Sequence, residues 1–154
     1  MVMEEGHSED ETYSGGDIYG KGSFFMHSLR RLIGDEAFFK GLMRLATDSA
    51  YTYDHFVGSD DVEKLFSGVS GKVLKPFFDF YLRTTDVLDI QVKETGFHKY
   101  QVSLKNHFMD LPVDVLTDKG LSRMILGKEG ITIESGQPPL VDPKGDYLKK
   151  ITLL

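Results

Sequence analysis

The residues with the clearest chemical potential lie near the start of the chain, in the segment Asp17-Ile18-Tyr19-Gly20-Lys21-Gly22. A phenol ordinarily titrates near pH ~10, so a tyrosine is a proton donor at neutral pH. Such a donor can bind the oxyanion that forms when water adds to an amide carbonyl, which lowers the energy of the transition state selectively. Gly20 and Gly22 would leave space for a substrate backbone. Tyr19 is therefore the candidate catalytic residue, and Gly20 and Gly22 are candidate substrate-binding residues.

The same tyrosine has a purely structural explanation. A partly buried aromatic residue that caps a helix would give the same pattern, and short glycine-containing motifs recur by chance. The segment alone leaves both interpretations open.

Several other chemistries are excluded or disfavoured by residue type and spacing. The chain has no cysteine, which excludes thiolate nucleophiles, disulfides and cysteine-based zinc sites. It contains no H-E-x-x-H motif, and none of its five histidines lies three or four residues from another, so no two can share a helical metal face. We predict no metal site in this sequence, and we expect His27 to be a hydrogen-bonded core histidine.

Composition and charge indicate a folded protein. Hydrophobic residues make up 40% and charged residues 27% of the 154 residues, and the formal net charge is -6. Such a charge disfavours nucleic acids and acidic membranes as partners, and no apolar run is long enough to span a membrane. The basic pairs Arg30-Arg31 and Lys149-Lys150 are expected to be solvated surface charge. Residues 1–16 lack the features of a signal peptide, which leaves the compartment open.

The hydrophobic period changes near Thr84-Thr85. Before this point the spacing of apolar residues predicts about four amphipathic helices, with Gly34 ending the first and Asp35 capping the second. After it the pattern alternates with a period of two and predicts strands over 87–93, 100–105, 111–116, 121–126, 131–134 and 147–153. The predicted fold class is α+β, with a helical subdomain over 1–84 (1–16 flexible) and an antiparallel β-sandwich over 85–154.

A series of motifs along the chain resembles the aminopeptidase N family of zinc peptidases. The first is Tyr19-x-Lys21-Gly22, followed by Leu29-Arg30, Ile33-Gly34-Asp35 and Gly41-Leu42. Ser59-Asp60-Asp61-Val62, the run from Ser70 to Leu82, and Val141-Asp142-Pro143-Lys144-Gly145 continue the same order. The β half agrees as well, because a β-sandwich follows the catalytic domain in that family.

The resemblance implies a C-terminal portion of a zinc-dependent aminopeptidase that removes N-terminal residues from peptides. Tyr19 would stabilise the transition state, while zinc would belong to the parent enzyme and not to this chain. The family's zinc ligands, its general base and the loop that binds the substrate's amino group are all missing from this sequence. The chain alone is therefore predicted to be inactive.

Two other functions compete with this one. The chain could be a non-enzymatic interaction module built from helices and a sandwich, or a helical regulatory domain joined to a carbohydrate-binding-like sandwich. In a peptidase portion, the aromatic helix faces should be incompletely covered and could support self-association. The residues expected on those faces are Phe24, Phe25, Phe38, Phe39 and Phe77.

Overall fold

Four helices lie in the part of the first half that the structure describes. The computed structural model describes residues 17–52 and 56–154, without the side chains of Asp17 and Ile18. The flexibility expected for residues 1–16 concerns residues outside this description. The helices are α1 (Asp17–Ile33), α2 (Asp35–Thr47), α3 (Ser59–Ser70) and α4 (Lys75–Arg83). None of these described helices has both the length and the apolar character needed to cross a membrane.

Gly34 separates α1 from α2, as predicted. Its φ of 87° is a backbone conformation that glycine adopts without strain, and its N–H donates to the Arg30 carbonyl at 2.8 Å. The predicted cap at Asp35 is wrong. Gly34 is the N-cap residue, and the Asp35 carboxylate instead accepts two hydrogen bonds from the Arg30 guanidinium, at 2.8 and 2.9 Å. These bonds lower the pKa of Asp35.

Seven strands form two sheets in the second half. They are β1 (Leu88–Gly96), β2 (Lys99–Leu104), β3 (Leu111–Thr117), β4 (Gly120–Leu126), β5 (Ile131–Glu134), β6 (Leu140–Val141) and β7 (Lys149–Leu153). The strand order is β5-β2-β1-β7 in one sheet and β4-β3-β6 in the other. The predicted α+β class, with about four helices followed by β-sheets, is confirmed.

One strand pair departs from an antiparallel arrangement. β7 runs parallel to β1, with Ile90 opposite Ile151, whereas β1 and β2 are antiparallel with Ile90 opposite Leu104. The segment after β6 carries the chain from the second sheet back to the edge of the first, in the direction of β1. Alternation of apolar residues does not encode strand direction, so the sequence pattern could not reveal this pair.

The helices and both sheets share buried side chains. The cluster includes Phe25 and Phe77 from helices, Ile90 and Val102 from the first sheet, and Val113 from the second. The change from helix to strand falls between Arg83 and Leu88, around the predicted boundary near 84–85. The division into two separate domains stays a prediction.

Candidate functional site

Tyr19 is the third residue of α1 and is 71% exposed. Burial of the aromatic ring therefore does not explain why a tyrosine is present at this position. Apart from the adjoining backbone of α1, a Cβ atom built on Gly20 or Gly22 would meet no atom of the described residues within 4 Å. The catalytic assignment of Tyr19 and the substrate-binding assignments of Gly20 and Gly22 stay predictions.

The rest of α1 is fixed by packing. Phe25, Leu29 and Leu32 follow the helical period and are buried. The Phe25 ring lies 5.2 Å from that of Phe77 and 5.0 Å from that of Phe78, both in α4. These contacts set the direction in which α1 presents its first turn.

Polar contacts hold both ends of α1 against neighbouring segments. Near the first turn, Lys21 Nζ lies 3.5 Å from the carbonyl oxygen of Thr84. At the C-terminal end, Lys72 Nζ donates to the carbonyl of Leu32 at 2.6 Å. The first turn thus has the weaker of the two polar attachments.

The predicted aromatic faces are covered unevenly. Phe24 and Phe39 are 42% and 52% exposed, and Met43, one helical turn after Phe39, is 65% exposed. Phe25, Phe38 and Phe77 are buried in the common cluster. Self-association through the exposed faces stays a prediction.

Two of the histidines in the described part of the chain lie beside a carboxylate. His27 Nε2 lies 3.1 Å from the Asp146 carboxylate, and His107 Nε2 lies 3.1 Å from that of Asp110. His27 is thus hydrogen-bonded as expected, but its side chain is 53% exposed, so the expected core position is wrong. Across residues 17–52 and 56–154, no three histidine, aspartate or glutamate side chains converge as metal ligands. The described residues therefore do not fit a zinc ion.

Sequence reasoning missed a cluster of buried charges where α1 meets the β half. Arg31 contacts Asp114 from β3 and Asp146 from the segment after β6, and both carboxylates are only 7% exposed. Lys149 Nζ pairs similarly with the fully buried Asp142 at 2.6 Å. The expectation that Arg31 and Lys149 are solvated surface charges is therefore wrong. The partners of Arg31 are distant from it in sequence, whereas Asp142 and Lys149 are seven residues apart, and no local pattern signals either set of contacts.

Comparison with known proteins finds a partial likeness to a peptidase. The sequence matches no model of a protein family. It is 39% identical over 82 residues to an aminopeptidase N from Lactococcus lactis subsp. lactis. The aligned segment makes up 52% of this chain but only 9% of the relative's length. This partial likeness supports a relationship to the aminopeptidase N family, and hence to peptidases in general.

Proposed function

We propose that this chain is the C-terminal portion of a zinc-dependent aminopeptidase, in which Tyr19 stabilises the transition state of peptide hydrolysis. The observation that carries the proposal is the 39% identity to aminopeptidase N over 82 residues. The exposed phenol at the start of α1 and the open space at Gly20 and Gly22 support the assigned roles. The substrate is a peptide with a free N-terminus.

The chemical role of Tyr19 follows from its hydroxyl. When water adds to the scissile carbonyl, the carbonyl oxygen gains negative charge. A neutral phenol donates a hydrogen bond that is stronger to this oxyanion than to the ground-state carbonyl, so it lowers the barrier. Gly20 and Gly22 let the substrate backbone approach the phenol. Zinc would polarise the carbonyl in the parent enzyme, bound by residues outside the described segments.

The proposal predicts that the chain alone does not hydrolyse a fluorogenic aminoacyl amide, with or without added zinc. The physical reason is that the described residues hold no set of metal ligands. The measurement is a fluorescence assay of purified chain, with a chelator as control. Turnover that the chelator abolishes would show that the chain is an enzyme by itself.

A chimera tests the role of Tyr19. This chain would replace the corresponding segment of the Lactococcus aminopeptidase N, and hydrolysis of the same amide would be measured. We expect an active chimera, in which Tyr19→Phe lowers kcat by about a hundredfold or more, the usual effect of removing one oxyanion donor. Tyr51→Phe makes the same substitution at a tyrosine in the turn after α2. This control variant should keep full activity. Equal activity of both variants would refute the catalytic assignment.

A non-enzymatic interaction module is the second candidate. The cluster of buried side chains that joins the helices to both sheets favours it, because such a core is expected of a self-contained unit. The chimera separates the two candidates, since an interaction module has no reason to restore hydrolysis.

A further inference from the structure

The loop that precedes β7 contacts α1 through one residue, Asp146. Ser28 Oγ donates a hydrogen bond of 2.7 Å to the carbonyl oxygen of Asp146, and both residues are buried. The Asp146 carboxylate lies 3.1 Å from His27 Nε2 through one oxygen and 2.8 Å from Arg31 Nε through the other. The Arg31 contact lacks hydrogen-bond geometry and is an ion pair only. Asp146 thus touches three residues within little more than one turn of α1.

The loop itself is held by several hydrogen bonds and an ion pair. Asp142 has a φ of 50°, and its carboxylate accepts the N–H groups of Asp146 at 2.8 Å and Tyr147 at 3.1 Å. Lys149 Nζ neutralises the same carboxylate at 2.6 Å. The N–H of Asp142 donates to the carbonyl of Asp114 in β3 at 2.7 Å. The contacts of the Val141–Gly145 motif therefore fix the backbone that presents Asp146.

The second sheet adds contacts that hold α1 at the same position. Asp114 binds Arg31 with one carboxylate oxygen and lies 3.2 Å from Arg123 Nε with the other. Arg31 is thus placed between two buried carboxylates, one from β3 and one from the loop. Removing a partner from such a buried arrangement leaves an uncompensated charge, so the arrangement resists displacement of α1.

From this geometry we infer that Asp146 is a positioning residue for Tyr19. His27 follows Tyr19 by eight residues, or about 12 Å along the same helix. A helix transmits position over that distance with little bending, so the contacts of Asp146 fix the rotation and axial position of the backbone that carries the phenol. This inference rests on the proposed function of Tyr19. It also assigns a purpose to the β half, which anchors the helix that carries the reactive hydroxyl.

A double-mutant cycle in the active chimera tests the inference. Asp146→Asn keeps the size of the side chain but removes its charge. We expect kcat to fall by about tenfold to a hundredfold with KM changed less than about twofold, because small misplacements of a catalytic group have effects of this size. In the Tyr19→Phe background, Asp146→Asn should cause no further loss. Full additivity of the two losses, or no loss from Asp146→Asn, would overturn the positioning role.

Asp110→Asn is the matched control. Asp110 pairs with His107 at the same 3.1 Å distance, but it lies before β3 and is exposed. Asp110→Asn should leave kcat unchanged, and Tyr19→Phe should lower kcat equally with and without it. A kcat loss equal to that of Asp146→Asn would show that breaking any His–Asp pair has this effect.

Hydrogen exchange of the full chain provides a readout that does not depend on activity. Asp146→Asn, and the milder Ser28→Ala, should accelerate exchange of the α1 amides between residues 19 and 27 while leaving α3 unchanged. Unchanged exchange in α1 would refute the inference even if Tyr19 is catalytic. An inactive chimera with accelerated exchange would refute the proposed function and keep Asp146 as an anchor of α1.

Discussion

The first turn of α1 and the turns that follow it differ sharply in their surroundings. Tyr19 is 71% exposed, and the two glycines beside it have open space around them. From Phe25 onward the same helix buries its apolar residues in the core, and its polar residues Ser28 and Arg31 reach the β half. One helix thus combines an accessible end with a fixed end. This contrast is the basis for proposing that contacts two turns away position Tyr19.

The largest effect is expected where the core holds α1. Phe25→Ala removes a ring that contacts Phe77 and Phe78, and should lower the free energy of unfolding by about 3–5 kcal/mol. Phe24→Ala, at the neighbouring exposed position, should change it by only about 0.5 kcal/mol. Urea unfolding of both variants measures the difference. Equal losses would mean that the two faces of α1 are not packed as described.

A second pair of neighbours compares buried with exposed charge. Arg31→Ala leaves Asp114 and Asp146 without their shared partner, and should lower the free energy of unfolding by about 3 kcal/mol. Arg30→Ala breaks an ion pair with Asp35 that lies in solvent, so little change is expected. The measurement is guanidinium unfolding at neutral pH. A loss at Arg30 as large as that at Arg31 would contradict the burial of the junction.

The smallest of the three effects is expected for Gly41→Ala and Gly22→Ala, which should change the free energy of unfolding in opposite directions. A Cβ on Gly41 would lie 2.5 Å from Cε1 of the buried Phe66, so Gly41→Ala should cost about 1–3 kcal/mol. Gly22→Ala meets nothing within 4 Å and replaces glycine in a helix, so it should stabilise the fold by up to about 1 kcal/mol. Thermal unfolding distinguishes the two. A fall in Tm for Gly22→Ala would show that the surroundings of Gly22 are more tightly packed than in this structure.

Much of the fold could be predicted from local patterns. The end of α1 at Gly34 followed from a glycine after an apolar helical stretch, and Pro76 lies in the first turn of α4, where its missing N–H does no harm. The strand β5 has the predicted bounds. The two-residue strand β6 was not predicted, because two residues after a pair of prolines show no alternation. Tyr19 was singled out by its motif, whereas Asp146 was not singled out at all.

The sequence by itself determined the helices, most of the strands and the place where one gives way to the other, because these depend on residue periodicity over a few turns. It also indicated Tyr19 as a candidate, because the motif around it is contiguous. Only the tertiary structure decided which charges are buried. Arg31 and Asp146 are more than a hundred residues apart, and whether such a pair lies in water or in a junction depends on how distant segments pack. Electrostatic energy depends on that environment, which local sequence does not specify.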